Sequence, residues 1–230
     1  MCGRFNVIDS PGIQDLLKTL GLDISLPPGI NLAPTERVHL VREVEGERRV
    51  ESAHWWLVPS WAREVSQKYA MFNARSETLT ESRAFAKPFR QQRALVPMSS
   101  FIEWRPENGV KQPWLISNAE EALAVAALWE VWERGDPAQG AGPLLSCTLV
   151  TTAAAPSFAP WHKRMPVILA PDEQEAWLDN SRQIAANSPV FRPQLKMPLR
   201  LAPLSRGVSN ARNKAPELLQ PIGEVVELAG

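Results

Sequence analysis

Proline is the residue that most limits what this chain can fold into. The sequence has 21 prolines in 230 residues, and they are spread along its whole length. Proline fixes φ and has no amide hydrogen, so it disfavours helix interiors and long uninterrupted strands. We therefore predict many short elements joined by frequent turns.

Hydrophobic patterning within these limits predicts more strand than helix. Residues 37–43 and 48–58 flank the turn VEGE and predict a β-hairpin. A helix is predicted in 9–22, with Ser10 as N-cap and Pro11 in its first turn. Further helices are predicted in 79–92 and 171–179, and further strands in 93–105, 111–117, 122–133, 144–152, 165–170 and near the C-terminus.

These elements predict an α+β fold. Helices do not alternate regularly with strands, which argues against a doubly wound parallel sheet. We expect a single domain over residues 1–230, with a curved, largely antiparallel β-sheet or barrel-like core and a few short helices. The stretch ERGDPAQGAGP at 133–143 predicts a flexible surface loop.

Charge and cysteine content narrow the class of protein. The formal net charge is zero, so bulk charge does not indicate nucleic-acid binding, although a local basic groove is compatible with it. Two cysteines do not form a disulfide framework, and no His/Cys cluster has metal-ligand spacing, so we expect no metal and no cofactor. The chain shows no signal-peptide run and no apolar stretch that would span a membrane. We expect a cytoplasmic monomer, or a nuclear one if the source has a nucleus.

The second residue has the most unusual chemistry of the chain. Cys2 follows Met1, and its small side chain allows the methionine to be removed. The new N-terminus would hold an α-amine of low pKa and a thiol on adjacent carbons. Such an amine attacks an aldehyde to form a Schiff base, and the tethered thiol can then close a thiazolidine ring. Its position alone leaves open that Cys2 is simply a small buried residue.

Three other segments have polar residues suited to catalysis. Glu103 lies between Ile102 and Trp104, where a carboxylate either pairs with an arginine or has a raised pKa suited to proton transfer. His162 precedes a predicted strand and is of a type that titrates near neutral pH, although a loop histidine is usually a surface residue. Asn73, in FNARSET, is a neutral donor and acceptor.

Seven segments together resemble the SRAP family, the SOS-response-associated "peptidase" domain that shields abasic sites in DNA. They are MCGRF (1–5), NLAP (31–34), PSW (59–61), NARSET (73–78), FIEW (101–104), WHKRMPVIL (161–169) and SNARNK (209–214). Their order and spacing match the family, and the resemblance covers nearly the whole chain.

The resemblance implies an enzyme that captures abasic sites in single-stranded DNA as a covalent thiazolidine crosslink, through a Schiff base. Its nucleophile would be Cys2 after removal of Met1, with Glu103 and His162 as acid–base groups and Asn73 orienting the sugar or the amine. The DNA contacts that the resemblance implies are Arg4, Trp61, Arg75, Arg83 and Arg164, where Trp61 would stack on exposed bases. One departure is Trp56, where the family often has a small residue; near the DNA channel it would change the strand fit.

Two alternatives stay open at this point. In a cysteine peptidase, Cys2 and His162 would form a thiol–imidazole pair, as the historical name of the family suggests. In a non-catalytic reader of modified DNA bases, no free N-terminal cysteine would be needed, and Met1 would be retained. Covalent reaction with an abasic oligonucleotide would argue against a peptidase. Retention of Met1, measured by mass, would favour the reader of modified bases.

Overall fold

The computed structural model describes residues 2–135 and 142–230, so most of the loop predicted at 133–143 lies outside the described residues. The described residues form thirteen strands, three α-helices and four 3-10 helices. The strands are β1 (Phe5–Val7), β2 (Gly29–Leu32), β3 (Arg37–Val44), β4 (Glu47–Trp55), β5 (Asn73–Arg75), β6 (Arg93–Met98), β7 (Ser100–Glu107), β8 (Val110–Ser117), β9 (Leu123–Trp132), β10 (Leu144–Ala153), β11 (Arg164–Pro166), β12 (Leu199–Pro203) and β13 (Val226–Leu228). The α-helices are α1 (Pro11–Thr19), α2 (Ala86–Gln91) and α3 (Pro171–Leu178), and the 3-10 helices are Ser76–Thr78, Pro189–Phe191, Arg206–Ser209 and Pro216–Leu219.

The strands form two sheets, so the predicted α+β class and largely antiparallel core are confirmed, with two sheets instead of one. The six-stranded sheet has the order β13-β12-β8-β7-β1-β2, and every pairing in it is antiparallel. The other sheet has seven strands: six follow the order β11-β10-β4-β3-β6-β9, and the seventh, β5, pairs with β10. It is strongly curved, because β10 pairs with β9 as well as with β4 and β5.

Two tight turns set the register of the longest hairpins. Glu45 and Gly46 join β3 to β4, and Asn108 and Gly109 join β7 to β8. All four have positive φ, from 48° at Asn108 to 80° at Gly109. Two consecutive residues of positive φ match the twist of paired strands, which is why Gly and Asn are favoured there. The hairpin predicted around VEGE is confirmed.

The helices are short, as the prolines predict, and one is shorter than expected. Ser10 caps α1 by accepting a hydrogen bond from the amide of Ile13, as predicted. The helix predicted in 79–92 is wrong in length, since α2 covers only Ala86–Gln91. Pro88 explains the difference: it is tolerated in the first turn of a helix but would clash in the interior of a longer one.

The main hydrophobic core lies between the two sheets. Phe5 of β1 meets Trp55 of β4 in an edge-to-face contact with ring centroids 4.9 Å apart. All six residues of β6 are buried, as expected for a strand covered on both faces. All three residues of β1 are buried, and Cys2, which precedes this strand, is also part of the core.

A buried arginine joins the ends of α2 and α3. The guanidinium of Arg93 is fully buried, and this burial lowers its pKa to about 10. Its NH groups donate to backbone carbonyls instead of carboxylates. These carbonyls belong to Phe89, Arg90, Trp177, Asp179 and Arg182. Because helix ends leave carbonyls without partners, one guanidinium satisfies both ends at once.

Candidate active site

Cys2 lies just before β1 and is fully buried. Burial raises the pKa of its thiol well above the usual range, and the negative charge of nearby Glu103 raises it further. The sulfur donates a weak hydrogen bond to the carbonyl of Arg4, with Sγ and oxygen 3.8 Å apart. The thiol is therefore held in its protonated form.

Asn73, the first residue of β5, holds the backbone of Cys2. Its Nδ2 donates to the carbonyl oxygen of Cys2 over 2.8 Å. The side chain is buried, and among the described residues its Oδ1 has no hydrogen-bond partner. Strand β5 is positioned by parallel pairing with β10, which places Asn73 opposite Leu149. The side-chain NH2 of Asn73 thus binds Cys2, and its Oδ1 is available to accept a hydrogen bond from another group.

Glu103 lies in β7, the strand that pairs with β1. Only 3% of its surface is exposed. Burial raises the pKa of its carboxyl, while the neighbouring His162 acts in the opposite direction. A carboxyl group whose pKa is raised toward neutrality is better suited to exchange a proton during a reaction.

His162 lies in the turn before β11, next to this carboxyl. Its Nδ1 is 4.0 Å from Oε1 of Glu103. The same nitrogen lies 3.0 Å from the amide nitrogen and 2.9 Å from the carbonyl oxygen of Arg164. The backbone of Arg164 therefore fixes the orientation of the imidazole beside Glu103. The structure brings Cys2, Asn73, Glu103 and His162 into one cluster from four separate parts of the chain.

Arg4 lies beside this cluster on the face of β7 that carries Trp104. Its guanidinium carbon is 5.7 Å from the centroid of the Trp104 ring, and Nη1 donates to the carbonyl of Gly3 over 2.9 Å. Burial lowers the pKa of Arg4, and nearby Glu36 raises it. Arg4 is half-buried, with a defined position beside an aromatic ring.

Trp61 and Arg83 form an exposed stack. The indole of Trp61 is 50% exposed, and the guanidinium carbon of Arg83 lies 4.2 Å from its centroid. The pair borders an apolar cleft of about 490 Å³ whose walls include Tyr69 and Met71. A planar cation on an indole face is a common form of cation–π contact.

The two other predicted arginines have different surroundings. Arg75, the last residue of β5, is exposed. Arg164 is largely buried and donates to both carboxylate oxygens of Glu77, at 2.5 and 3.0 Å, and to the carbonyl of Thr151 at 2.7 Å. Burial acts to raise the pKa of Glu77, but the hydrogen bonds from Arg164 bring it below the usual value. Arg164 therefore links β11 to β10 and to the 3-10 helix Ser76–Thr78.

A sequence profile of the family described as SOS response associated peptidase (SRAP) matches residues 1–211. The chain belongs to the SRAP family. The abasic site processing protein YoaM of Bacillus subtilis is 33% identical over 231 residues, covering 95% of this chain and 97% of the relative. YedK of Escherichia coli is 31% identical over 238 residues, covering 96% and 100%. HMCES of Gallus gallus is 31% identical over 212 residues, covering 81% of this chain and 62% of the relative.

The fold of this SRAP chain also matches solved structures. A protein from Bacteroides thetaiotaomicron has a TM-score of 0.75 and 22% sequence identity, covering 96% of this chain and 99% of that one. At this identity the likeness is one of fold. It agrees with the two-sheet architecture described above.

Several residues that shape this SRAP site were not predicted as site residues. Glu77 lies inside the NARSET motif, and a carboxylate two residues after Arg75 was the available signal. Trp161 is buried and contacts Arg105, whose guanidinium carbon lies 5.1 Å from its ring. Trp56 is buried, packs on Phe72 and donates to the carbonyl of Ser66.

Within residues 2–135 and 142–230 of this SRAP chain, no group of three or more His, Cys, Asp or Glu side chains is arranged to hold a metal ion. In the same part of the chain, none of the helices has the length and apolar character needed to cross a membrane.

Proposed function

We propose that this chain captures abasic sites in single-stranded DNA as a thiazolidine crosslink to Cys2, after removal of Met1. The relatives YoaM, YedK and HMCES are named abasic site processing proteins, which supports abasic DNA as the substrate. The observation that carries the proposal is the hydrogen bond from Asn73 to the Cys2 carbonyl, in the cluster that also contains Glu103 and His162.

The α-amine of Cys2 is the first nucleophile in this account. Because burial keeps the thiol protonated, the uncharged amine attacks the ring-opened sugar aldehyde. The carbinolamine then loses water to give an imine. Glu103, whose raised pKa lets it hold a proton, donates the proton that leaves with that water.

The thiol then traps the imine. Sulfur bonds to the imine carbon, the C=N double bond becomes a single bond, and the thiol proton goes to nitrogen. The product is a five-membered ring, and closure is fast because sulfur and nitrogen are held on adjacent carbons. Asn73 holds the Cys2 carbonyl during both steps, and its Oδ1 can accept a hydrogen bond from the amine or from a sugar hydroxyl.

The strand would be held by cations and by one aromatic platform. Arg4 and Arg75 bind phosphates next to the lesion, and Arg83 and Arg164 add contacts along the same strand. Trp61, half-exposed under Arg83, stacks on an unpaired base. A neutral protein can bind a single strand in this way because only the groove needs to be basic.

The peptidase alternative fits the site less well. A cysteine peptidase needs a thiolate paired with an imidazole, whereas burial raises the pKa of the Cys2 thiol. The sulfur is directed at the carbonyl of Arg4, and Nδ1 of His162 is engaged by the backbone of Arg164. These contacts favour capture of an aldehyde over peptide hydrolysis.

Intact-mass spectrometry with an abasic single-stranded oligonucleotide tests the proposal. The expected product has the mass of the protein without Met1, plus the oligonucleotide, minus one water. An oligonucleotide with a tetrahydrofuran analogue, which has no aldehyde to reveal, is the matched control and should give no adduct. A peptidase would leave the DNA unmodified, and a reader of modified bases would retain Met1. Either result would overturn the proposal.

A further inference from the structure

Residues 205–214, which we call the C-terminal loop, have no part in the reaction proposed above. The loop contains the 3-10 helix Arg206–Ser209 and the motif SNARNK. It holds three cations, Arg206, Arg212 and Lys214, and no Asp or Glu. Such a charge distribution suits an anionic partner.

Asn31 anchors the C-terminal loop. It is fully buried in β2, and its Nδ2 lies 3.0 Å from each of three backbone carbonyls in the loop, those of Val208, Asn210 and Asn213. The φ of Asn31 is 51°, a left-handed conformation that Asn adopts more readily than most residues. One buried amide thus ties three points of a distant loop to the sheet.

The same residue connects the loop to the strand that follows Cys2. The backbone N–H of Asn31 donates to Oδ1 of Asn6 over 2.7 Å, and Nδ2 of Asn6 donates to Oγ of Ser100 over 2.9 Å. Asn6 lies in β1 and Ser100 in β7, the strands that carry or flank the proposed catalytic residues. The loop is therefore fixed relative to Cys2 by a continuous buried network.

The C-terminal loop borders Arg4. The indole Nε1 of Trp104 donates to Oγ of Ser209 over 3.1 Å. The same ring also contacts the guanidinium of Arg4, whose carbon lies 5.7 Å from the ring centroid. A phosphate on Arg4 would thus have the C-terminal loop as its neighbour on the Trp104 side.

The cations of the loop differ in whether they are already paired. Lys214 donates to both carboxylate oxygens of Glu36 at 2.7 Å. Arg212 is exposed and, among the described residues, pairs with no carboxylate. The backbone of Arg212 has a fixed position, because its N–H donates to Oδ1 of Asn210 over 3.1 Å. The carbonyls on either side, those of Asn210 and Asn213, accept from Nδ2 of Asn31. Arg212 is thus an unneutralised cation on a fixed backbone.

We infer that the C-terminal loop is a binding site for a phosphodiester of the single strand, with Arg212 as the contact residue and Asn31 as the positioning residue. The inference rests on the proposed function, which brings a single strand to Arg4. It adds a second phosphate contact on the Trp104 side of the site. The ordered loop needs little rearrangement to bind, so the contact adds directly to affinity.

Fluorescence anisotropy with an intact single-stranded oligonucleotide, measured at several salt concentrations, tests the contact. One phosphate contact on a single strand contributes about 0.7 to the slope of log affinity against log salt. Arg212→Ala should therefore lower the slope by about 0.7 and weaken binding about fivefold near 0.1 M salt. Arg49→Ala, which removes an exposed arginine from the β3–β4 hairpin, is the control and should match the wild type. Wild-type affinity and slope in Arg212→Ala would overturn the inference.

A double-mutant cycle tests the role of Asn31. Asn31→Gly accepts the positive φ and removes the side chain whose amide binds the loop. If Asn31 acts through Arg212, Asn31→Gly should weaken binding to a similar extent, and adding Arg212→Ala should weaken it little further. Fully additive losses would contradict the positioning role. Should Asn31→Gly fail to fold, Ser209→Ala, which removes the acceptor of Trp104, replaces it in the same cycle.

The two proposals fail in different ways. Binding of an intact oligonucleotide involves no aldehyde, so a wild type that binds it without forming an abasic adduct refutes the crosslinking chemistry alone. A wild type that crosslinks abasic DNA, with Arg212→Ala unchanged in affinity and slope, refutes the loop contact alone. A wild type that binds no single strand refutes both.

Discussion

The side-chain amide of Asn73 donates a 2.8 Å hydrogen bond to the carbonyl oxygen of Cys2, across 71 positions of sequence. The contact links the start of β5 to the residue before β1, two elements that belong to different sheets. It fixes the backbone that would carry the reacting amine and thiol. In this account the geometry of the nucleophile depends on a side chain that takes no part in bond making.

Replacing Asn73 should therefore reduce reaction rate more than DNA affinity. Asn73→Ala removes the donor, and a misplacement of about 1 Å at a reacting group can reduce rates about 100-fold. We expect crosslinking at saturating abasic DNA to slow by about that factor, with nearly unchanged anisotropy on intact DNA. Asn118→Ala, which removes an exposed amide bonded to the carbonyl of Pro198, is the control. Equal loss of affinity and rate would mean that Asn73 supports the fold.

Glu103→Gln should slow crosslinking and leave DNA binding intact. Glutamine keeps the size of the side chain but cannot exchange a proton as a carboxyl does, so an effect of about 100-fold is expected. Gel analysis of adduct formation over time measures the rate, and anisotropy measures binding. Glu120→Gln, at an exposed carboxylate, should behave as the wild type.

The same substitution should increase stability at alkaline pH. Burial raises the pKa of Glu103 above its unfolded value of 4.5. The folded state then holds the proton more tightly than the unfolded state, so this group lowers stability increasingly as pH rises above the unfolded pKa. Glu103→Gln should unfold at a higher temperature than the wild type at pH 8, and the difference should shrink toward pH 4. A less stable variant at pH 8 would show that the carboxylate stabilises the fold.

Arg75→Ala should weaken single-strand binding in a salt-dependent way. Arg75 is exposed, whereas Arg164 is held by Glu77 and Thr151. Removal of Arg75 should lower the salt slope by about 0.7 without changing thermal stability. Arg164→Ala should lower the melting temperature as well, because it leaves Glu77 without its partner. An unchanged slope in Arg75→Ala would place Arg75 away from the strand.

Arg93→Met should destabilise the fold without a specific effect on the site. The substitution keeps an unbranched side chain but removes the donors to five buried or partly buried carbonyls. Hydrogen bonds from a charged group contribute about 1.5–3 kcal/mol each, and carbonyls that reach water recover part of the loss, so a loss of about 3 kcal/mol is expected. Urea unfolding measures it. A variant as stable as the wild type would mean that water replaces the guanidinium.

Short motifs at the ends of elements, such as a helix cap and a hairpin turn, predicted the elements next to them. Ser10 and Pro11 predicted the start of α1, and the turn before β4 predicted its hairpin. The helix predicted in 79–92 is too long at its N-terminal end, because Pro88 is tolerated only in the first turn of a helix. The division into two sheets could not be predicted, since it depends on pairings between strands far apart in the chain, such as β1 with β7.

The cluster was predicted as a set of residues, but its contacts were not. Motifs pointed to Cys2, Asn73, Glu103 and His162, while the hydrogen bond from Asn73 arises only when β5 pairs with β10. The pairing of Arg164 with Glu77 and the anchoring of the C-terminal loop by Asn31 also join distant segments. Such contacts follow from tertiary packing, which no local pattern encodes.

The most direct test of the central claim compares Cys2→Ala with the wild type on abasic single-stranded DNA, with and without borohydride. The variant keeps an α-amine once Met1 is removed, because alanine is also small, but it has no sulfur to close the ring. It should form an imine that borohydride traps, and without reductant it should give no heat-stable adduct and some strand cleavage, since the imine promotes β-elimination of the 3′ phosphate. The wild type should give a heat-stable adduct without reductant. A heat-stable adduct of Cys2→Ala without borohydride, in wild-type yield, would contradict the thiazolidine account.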